Sequence, residues 1–313
     1  MIMKEIQSIL LGERPLLISK DGYLQVASIE FLPKTSSMLD LGKTYRDKTT
    51  EALSILKKLI SESDDNIQIT NDYSDPDLPD NCIAYHRVWG FITGGCRWGF
   101  SSKQLEEDLL AAEANPQICA HLLHVNSSGG EAWYLDRLGE TMRSCKKPIV
   151  GIYESHCASA AYYIACHSTV LYAMTRNDLV GCIGTMTSFY DFDGYYKKMG
   201  INLVEAKATK SDLKNKTFED LVDGKPKEFI ERILNPINEQ FLAAVRSQRG
   251  KIAEMDDDNP VLRGEIYYTE EAVENGLIDG MHTFLEAVQE AYSLGKKTND
   301  SGKLKESIYN IVR

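Results

Sequence analysis

From Cys82 onward, short apolar runs suited to strands alternate with segments whose apolar residues recur at helical spacing, and this alternation restricts the fold most. "CIAYHRVWGFITGG" predicts a strand and turn. "SSKQLEEDLLAAEANP" predicts a helix: Ser101 and Gln104 stand at capping-box spacing, and Leu105, Leu109 and Ala112 share one face. "ICAHLLHVN" predicts a strand, "GEAWYLDRLGETMRSC" a helix and "KPIVGIYE" a further strand. Strand, helix, strand units of this kind need right-handed crossovers, so the chain is expected to be α/β with a largely parallel sheet.

Further along, "STVLYAM", "LVGCIGTMTSFYDF" and "INLVEAKA" predict strands, with the short helix "DGYYKKMG" between the last two. The lysine- and acid-rich segment from Lys210 to Lys227 is expected to be a solvated loop or frayed helix. A long helix restarts at Asn235 and Pro236, and "RGEIYYTEEAVENGLIDGMHTFLEAVQEAY" gives a strand, a helix stopped by Gly276 and a terminal helix. Residues 1–80 are set apart as an N-terminal extension, with an amphipathic helix over residues 47–60 (Leu53, Leu56 and Ile60 on its apolar face) and the acidic linker "NDYSDPDLPDN". The main domain is expected over residues 81–293 and a solvated tail over 294–313.

The formal charge of -11, from 35 Lys plus Arg against 46 Asp plus Glu, works against a continuous phosphate-binding surface, so nucleic acid is not an expected partner. The N-terminal stretch is broken by Glu5, Glu13, Arg14 and Pro15, and no run of about 18 apolar residues occurs, so neither a secretory leader nor a membrane span is expected and the reading is cytoplasmic. Seven cysteines, an odd number without a C-x-x-C pair, predict buried reduced thiols and no structural zinc. No cofactor is called for.

Two strand ends carry chemistry. In "HVNSSGGEAW" a strand gives way to Gly129 and Gly130, expected to open a helix, and such glycines can leave N–H groups for developing negative charge; by itself the signal is weak, since most junctions of this kind are just tight turns. In "ESHCASAAYYIACHS" the preceding strand leads to Ser159 at a helix start, either as an N-cap or as a nucleophile, with the Ala160 N–H beside it.

Over roughly Cys82 to Tyr292, "VNSSGG", "ASAAYYIA", "VGCIGTM" and "YTEEAVENGLID" occur in the order that resembles the signal peptide peptidases of the Ser/Lys type, a group that includes phage head-maturation proteases. The resemblance implies a Clp protease/crotonase-like fold of repeated β-β-α units, peptide or protein substrates, and a homo-oligomer, as a ring. It makes Ser159 the nucleophile, puts Gly129, Gly130 and Ala160 at the oxyanion hole, and takes the base from the lysines after "GINLVEAKA": Lys207, Lys210, Lys214 or Lys216. "KSDLKN" fits best with Lys214, and Lys210 is the second choice. Two departures stand out: Ala160 and Ala161 where the family often has Gly-Gly, and Cys182 where it often has a serine that supports the lysine, a thiol being the weaker partner. His156 and His167 flank Ser159 but are read as packing or rim residues, and His282 is the one histidine downstream of them. A lysine base acts only when neutral, so its pKa must fall from about 10.4, which burial can achieve. The competing readings are a noncatalytic ring-forming assembly protein and a crotonase-type acyl-CoA enzyme.

Overall fold

The computed structural model describes residues 16–18, 44–63, 66–95 and 99–311, with the side chains of 16–18 and 301–311 left aside. Its centre is a largely parallel sheet in the order β11-β10-β8-β6-β3-β2, built from Ile69–Thr70 (β2), Cys82–Trp89 (β3), Ile118–Ser127 (β6), Ile149–Ala158 (β8), Leu179–Gly181 (β10) and the antiparallel edge strand Ile266–Tyr268 (β11). Val170–Ala173 (β9) pairs with β8 on the same side as β10, and Gly280–Met281 (β12) pairs with β9. A second, small sheet has the order β1-β7-β4-β5, from Leu16–Ile18 (β1), Ile92–Thr93 (β4), Phe100–Ser101 (β5) and Gly129–Glu131 (β7).

Strands β3 and β6 are buried almost continuously because helices cover both faces of the sheet. Leu122, Val150 and Ile152 point to one layer, with Leu53 and Ile60 of helix α1 (Tyr45–Ser61) and with Phe284, Ala287 and Val288 of the C-terminal helix. Leu123, Val125 and Tyr153 point to the other, where α2 (Ser102–Ala114), α3 (Leu135–Ser144) and α4 (Ala160–Ala165) lie. The α/β architecture with a parallel sheet is therefore as the sequence predicts. The Ser101 cap also forms: its Oγ accepts the Gln104 N–H at 3.2 Å, while the Gln104 side chain turns to Asp108 instead of closing the box.

Five expectations change, the first being that "LVGCIGTMTSFYDF" forms a ladder strand only over Leu179–Gly181. Gly129–Glu131 is strand, not the start of a helix, and α3 begins at Leu135 after Tyr134 turns the chain at φ +76°. "INLVEAKA" lies exposed without strand pairing, because no sheet edge is offered to it. The region expected as a detached extension is, from residue 44, part of the main body: α1 buries Leu53 and Ile60, β2 adds a parallel strand to β3, and the Tyr45 hydroxyl donates to the Arg87 carbonyl at 2.8 Å while accepting the Trp89 N–H. The expected tail continues the terminal helix, α9 (Phe284–Ile311). Helices α5 (Asp193–Lys198), α6 (Lys216–Val222), α7 (Asn235–Gln248) and α8 (Thr269–Asn275) follow, with short helical turns at Lys227–Phe229, Ile230–Leu234, Gly250–Ala253 and Pro260–Arg263.

Because Leu53 is 2% exposed against the sheet and Ile55 is 68% exposed on the opposite face, the two should respond differently to truncation. Leu53→Ala is expected to cost about 2–5 kcal/mol of unfolding free energy in urea and Ile55→Ala less than about 0.5 kcal/mol, which checks that α1 is integral to the fold.

Candidate active site

The candidate serine and glycines lie at the carboxyl ends of the parallel strands, where open α/β sheets commonly bind ligands. Val125 pairs with Tyr153 but Ser127 pairs with Cys157, so β8 carries two extra residues there. The bulge, Glu154 to His156, has Ser155 at φ +64° with its N–H held by Asp178 Oδ1 at 2.8 Å. It divides that edge of β8: residues 150–153 pair with β9, and 156–158 with β10. Such bulges re-aim a strand end. Here the re-aimed end delivers Ser159 beside the residues that follow Ser127, namely Gly129 and Gly130.

Ser159 stands between β8 and α4 at φ +56°, ψ −121°, a conformation costing a non-glycine residue on the order of 1–3 kcal/mol. Its N–H donates to the Gly181 carbonyl at 2.8 Å and its own carbonyl accepts the Tyr163 N–H at 2.9 Å. The side chain does not cap the helix: Oγ is buried and has no hydrogen-bond partner among the described residues. That excludes a simple N-cap role in this conformation. Ala160, the first residue of α4, is buried, and a first-turn N–H has no carbonyl within its own helix to bond.

Gly130 can only be glycine, because a Cβ there would lie 2.1 Å from the Ile92 carbonyl oxygen of β4. Gly129 sits at φ +109°, and its N–H donates to Ser127 Oγ at 3.1 Å, so an oxyanion would compete with that hydroxyl for it. Ser127 Oγ in turn donates to the Gly90 carbonyl at 2.6 Å, which fixes the turn.

The lysines are elsewhere in this conformation. Lys214 and Lys210 are exposed, and Lys207 and Lys216 pair with Glu219 and Asp220. None is bonded to Ser159 Oγ. Cys182, at φ +53°, donates its N–H to the Glu265 carbonyl at 2.7 Å, and burial, with the nearby Glu265 carboxylate, pushes its thiol pKa up, keeping it protonated.

The histidines do not reach Ser159 Oγ either. His156 Nδ1 bonds Ser155 Oγ at 2.8 Å, and His282 stacks on Tyr172. His167 is buried, its Nε2 accepting from Arg143 at 3.1 Å and its Nδ1–H donating to the Tyr163 carbonyl at 2.8 Å. An arginine can only donate, so this tautomer is the neutral one. The "YTEEAVENGLID" stretch acts structurally: Asp279 accepts the Leu171 N–H and the Arg249 guanidinium, each within 2.8 Å, and the Leu277 carbonyl accepts the Tyr162 hydroxyl of α4. Sequence reasoning missed Asp178 and Arg249, whose partners lie on distant elements.

One set of metal-capable groups occurs among the described residues, Glu113, His121 and Cys145, near the opposite ends of the strands. All three already have partners: His121 Nε2 bonds Glu113 Oε1 at 3.0 Å, Glu113 accepts the Lys146 and Lys147 N–H groups, and Cys145 bonds the Thr141 carbonyl. Burial alone would raise the Glu113 pKa, but these hydrogen bonds hold it below the usual range. The cluster ties α2 to the turn before β8. The six described cysteines are free thiols.

Burial lowers the His167 pKa to about 4. A histidine depressed in the native state contributes stability that is full above its unfolded pKa of about 6.5 and is lost as pH falls from there toward 4, on the order of 3 kcal/mol in all. Urea midpoints should therefore fall between pH 6.5 and 4, and the His167→Gln protein should show a shallower decline over the same interval.

Residues 141–298 match the model of peptidase family S49, a segment that contains Ser159 and the four candidate lysines and begins after β7. A putative protease of Methanocaldococcus jannaschii is 28% identical over 189 residues, 60% of this chain and 60% of the relative. Protease 4 of Haemophilus influenzae is 26% identical over 62% of this chain and 31% of its own length, and a putative signal peptide peptidase of Enterococcus faecium is 27% identical over 50% and 46%. The chain thus spans less than two thirds of the length of these relatives. A solved enoyl-CoA hydratase/isomerase family member superposes only loosely, at a TM-score of 0.37 and 13% identity over 74% of this chain and 85% of its own. Among the described residues no helix is long and apolar enough to cross a membrane. The matched segment covers half the chain and includes the strained serine, and the chain belongs to peptidase family S49.

Proposed function

We propose that the chain is a serine endopeptidase that cleaves peptide bonds through an acyl-enzyme, with Ser159 as nucleophile and Lys214 as base. One observation carries the reading: within the family match, a buried Ser159 Oγ with no partner among the described residues stands on a strained strand-to-helix turn next to a glycine strand. A hydroxyl deprived of water and of protein partners is costly unless a ligand or base completes it. Neutral Lys214 takes the Ser159 proton as Oγ attacks the carbonyl carbon. N–H groups at Gly129, Gly130 and Ala160 hold the oxyanion, the lysine returns the proton to the leaving amine, and water clears the ester. β7 offers its backbone to a peptide added as a strand, a mode in which main-chain bonds give affinity.

The exposed lysine segment carries apolar residues that a soluble monomer rarely displays together: Leu203, Val204 and Leu213 are 79%, 89% and 77% exposed. A homo-oligomer in which copies cover this face accounts for them and would desolvate the lysine. A prophage-type role and a cytoplasmic site remain part of this reading. The second reading, a noncatalytic assembly protein, is favoured by Cys182 and by the exposure of Lys214, which makes no hydrogen bond to Ser159 Oγ.

Hydrolysis of unstructured peptides should disappear in Ser159→Ala and in Lys214→Ala, with the double variant no worse than either, and Lys210→Ala should keep most activity. If Lys210→Ala is inactive and Lys214→Ala is not, the base is Lys210. If Ser159→Ala is as active as the parent, the peptidase reading fails. Light scattering should give a mass of several chains, reduced toward one by Leu203→Glu with Val204→Glu.

A further inference from the structure

The glycine strand that the reading above gives to the substrate already has an occupant. β7 has two edges. One is taken by β4, with Ile92 opposite Gly130 in parallel register. The other is taken by β1, a piece of the chain's own N-terminal region, running antiparallel with Leu16 opposite Glu131, Leu17 opposite Gly130 and Ile18 opposite Gly129. No other strand pairs with β7 among the described residues.

The polarity of β1 matters as much as its position. β7 leads away from the site, since Ser127 is in register with Cys157 two residues before Ser159, and Gly129 follows Ser127 by two. An antiparallel neighbour therefore runs toward the nucleophile from its N-terminal side. A peptide attacked by Ser159 keeps its acyl portion, the residues before the cleaved bond, in that orientation. β1 has it, with Ile18 as its last paired residue beside Gly129. Pro15, immediately before β1, has no N–H to donate to a ladder, and three residues pair with β7 among those described. A three-residue strand on an edge can be exchanged for another chain at modest cost.

We propose, resting on the peptidase reading of this same site, that Leu16–Ile18 is an autoinhibitory strand that occupies the acyl half of the peptide groove. A peptide substrate binds only when β1 leaves β7. The apparent affinity for peptide is then the intrinsic affinity multiplied by the fraction of molecules with β1 undocked, so a strand docked nine-tenths of the time weakens binding about tenfold.

The test uses the full chain and a fluorescein-labelled peptide of its own sequence, RPLLISK (residues 14–20), followed by fluorescence anisotropy in a Ser159→Ala background. Neighbouring residues of a strand point their N–H groups to opposite sides, so Leu17→Pro, and separately Leu16→Pro with Ile18→Pro, remove the β7-facing donors in either register. One of the two is expected to bind the probe about tenfold more tightly than the parent, and with Ser159 restored to hydrolyse peptides with a correspondingly lower KM at unchanged kcat. In the unsubstituted chain, saturating probe should accelerate amide exchange of Leu16–Ile18. Unchanged probe affinity in both proline variants, with melting temperatures equal to the parent's, overturns the proposal, as does unchanged exchange at Leu16–Ile18 with probe bound. The two readings separate cleanly. Tighter probe binding without any hydrolysis keeps the autoinhibitory strand and removes the peptidase; hydrolysis with affinity and KM unchanged in both variants does the reverse.

Discussion

The hydrogen bond from the Ser159 N–H to the Gly181 carbonyl holds the turn on which the rest of the site depends. Without a fixed partner, a serine at φ +56° would relax toward ordinary backbone and carry its hydroxyl with it. The partner is available because β10 pairs in parallel with the last residues of β8, beyond the bulge, so that Gly181 lies opposite Ala158. Gly181 itself needs φ +118°, and its neighbour Cys182 is tied to Glu265 on the approach to β11. Strain at Ser159 is thus spread over a chain of backbone bonds that reaches the edge of the sheet, and Asp178 clamps the bulge from the other side by accepting the N–H groups of Ser155, Met174 and Thr175.

Helix α4 shows why this arrangement tolerates so short an element. Six residues, all buried, could not persist as a helix in water. They are held by Tyr162, whose hydroxyl bonds the Leu277 carbonyl, and by packing against Phe241 through Tyr163. The C-terminal quarter of the chain is therefore not an appendage to the site. Arg249 and Asp279 pin that quarter to β9, and β9 flanks the half of β8 that precedes the bulge.

Much of this was legible from residues close in sequence. The periodicity of Leu105, Leu109 and Ala112, the Ser101 cap, and the apolar runs of β3, β6 and β8 are local properties, and local properties are what a sequence displays. Ser159 followed by two alanines was legible for the same reason. What failed was long-range. Gly129 and Gly130 look like a helix start because paired glycines before a helical pattern usually are one; only the approach of Ile92 from β4 makes them a strand. "INLVEAKA" has the pattern of a strand but no neighbour to pair with. The acidic linker after α1 resembles a domain boundary, yet Tyr73 and Asn115 bridge it: the Tyr73 hydroxyl donates to the Tyr85 carbonyl and Asn115 donates to the Tyr73 and Asp75 carbonyls. The choice of Lys214, with Lys210 second, rests on the resemblance alone, because the sheet constrains neither lysine.

The remaining tension is between the proposed nucleophile, whose turn is already set, and the proposed base, which is exposed. Ser159 Oγ is withdrawn from water and has no partner among the described residues, while Lys214 lies on a segment whose large apolar side chains face outward. A lysine becomes a useful base only when desolvated, and apolar residues such as Leu203 and Val204 gain free energy only when covered, about 25 cal/mol per Å². Both requirements are met by the same event, the burial of this segment against another surface. On that argument the apolar side chains supply the driving force for an unfavourable step, the dehydration of a cation, and catalytic competence would be coupled to assembly through the segment that carries the lysine. The strain at Ser159 needs no such event, because it is stored in backbone bonds that the isolated chain already makes.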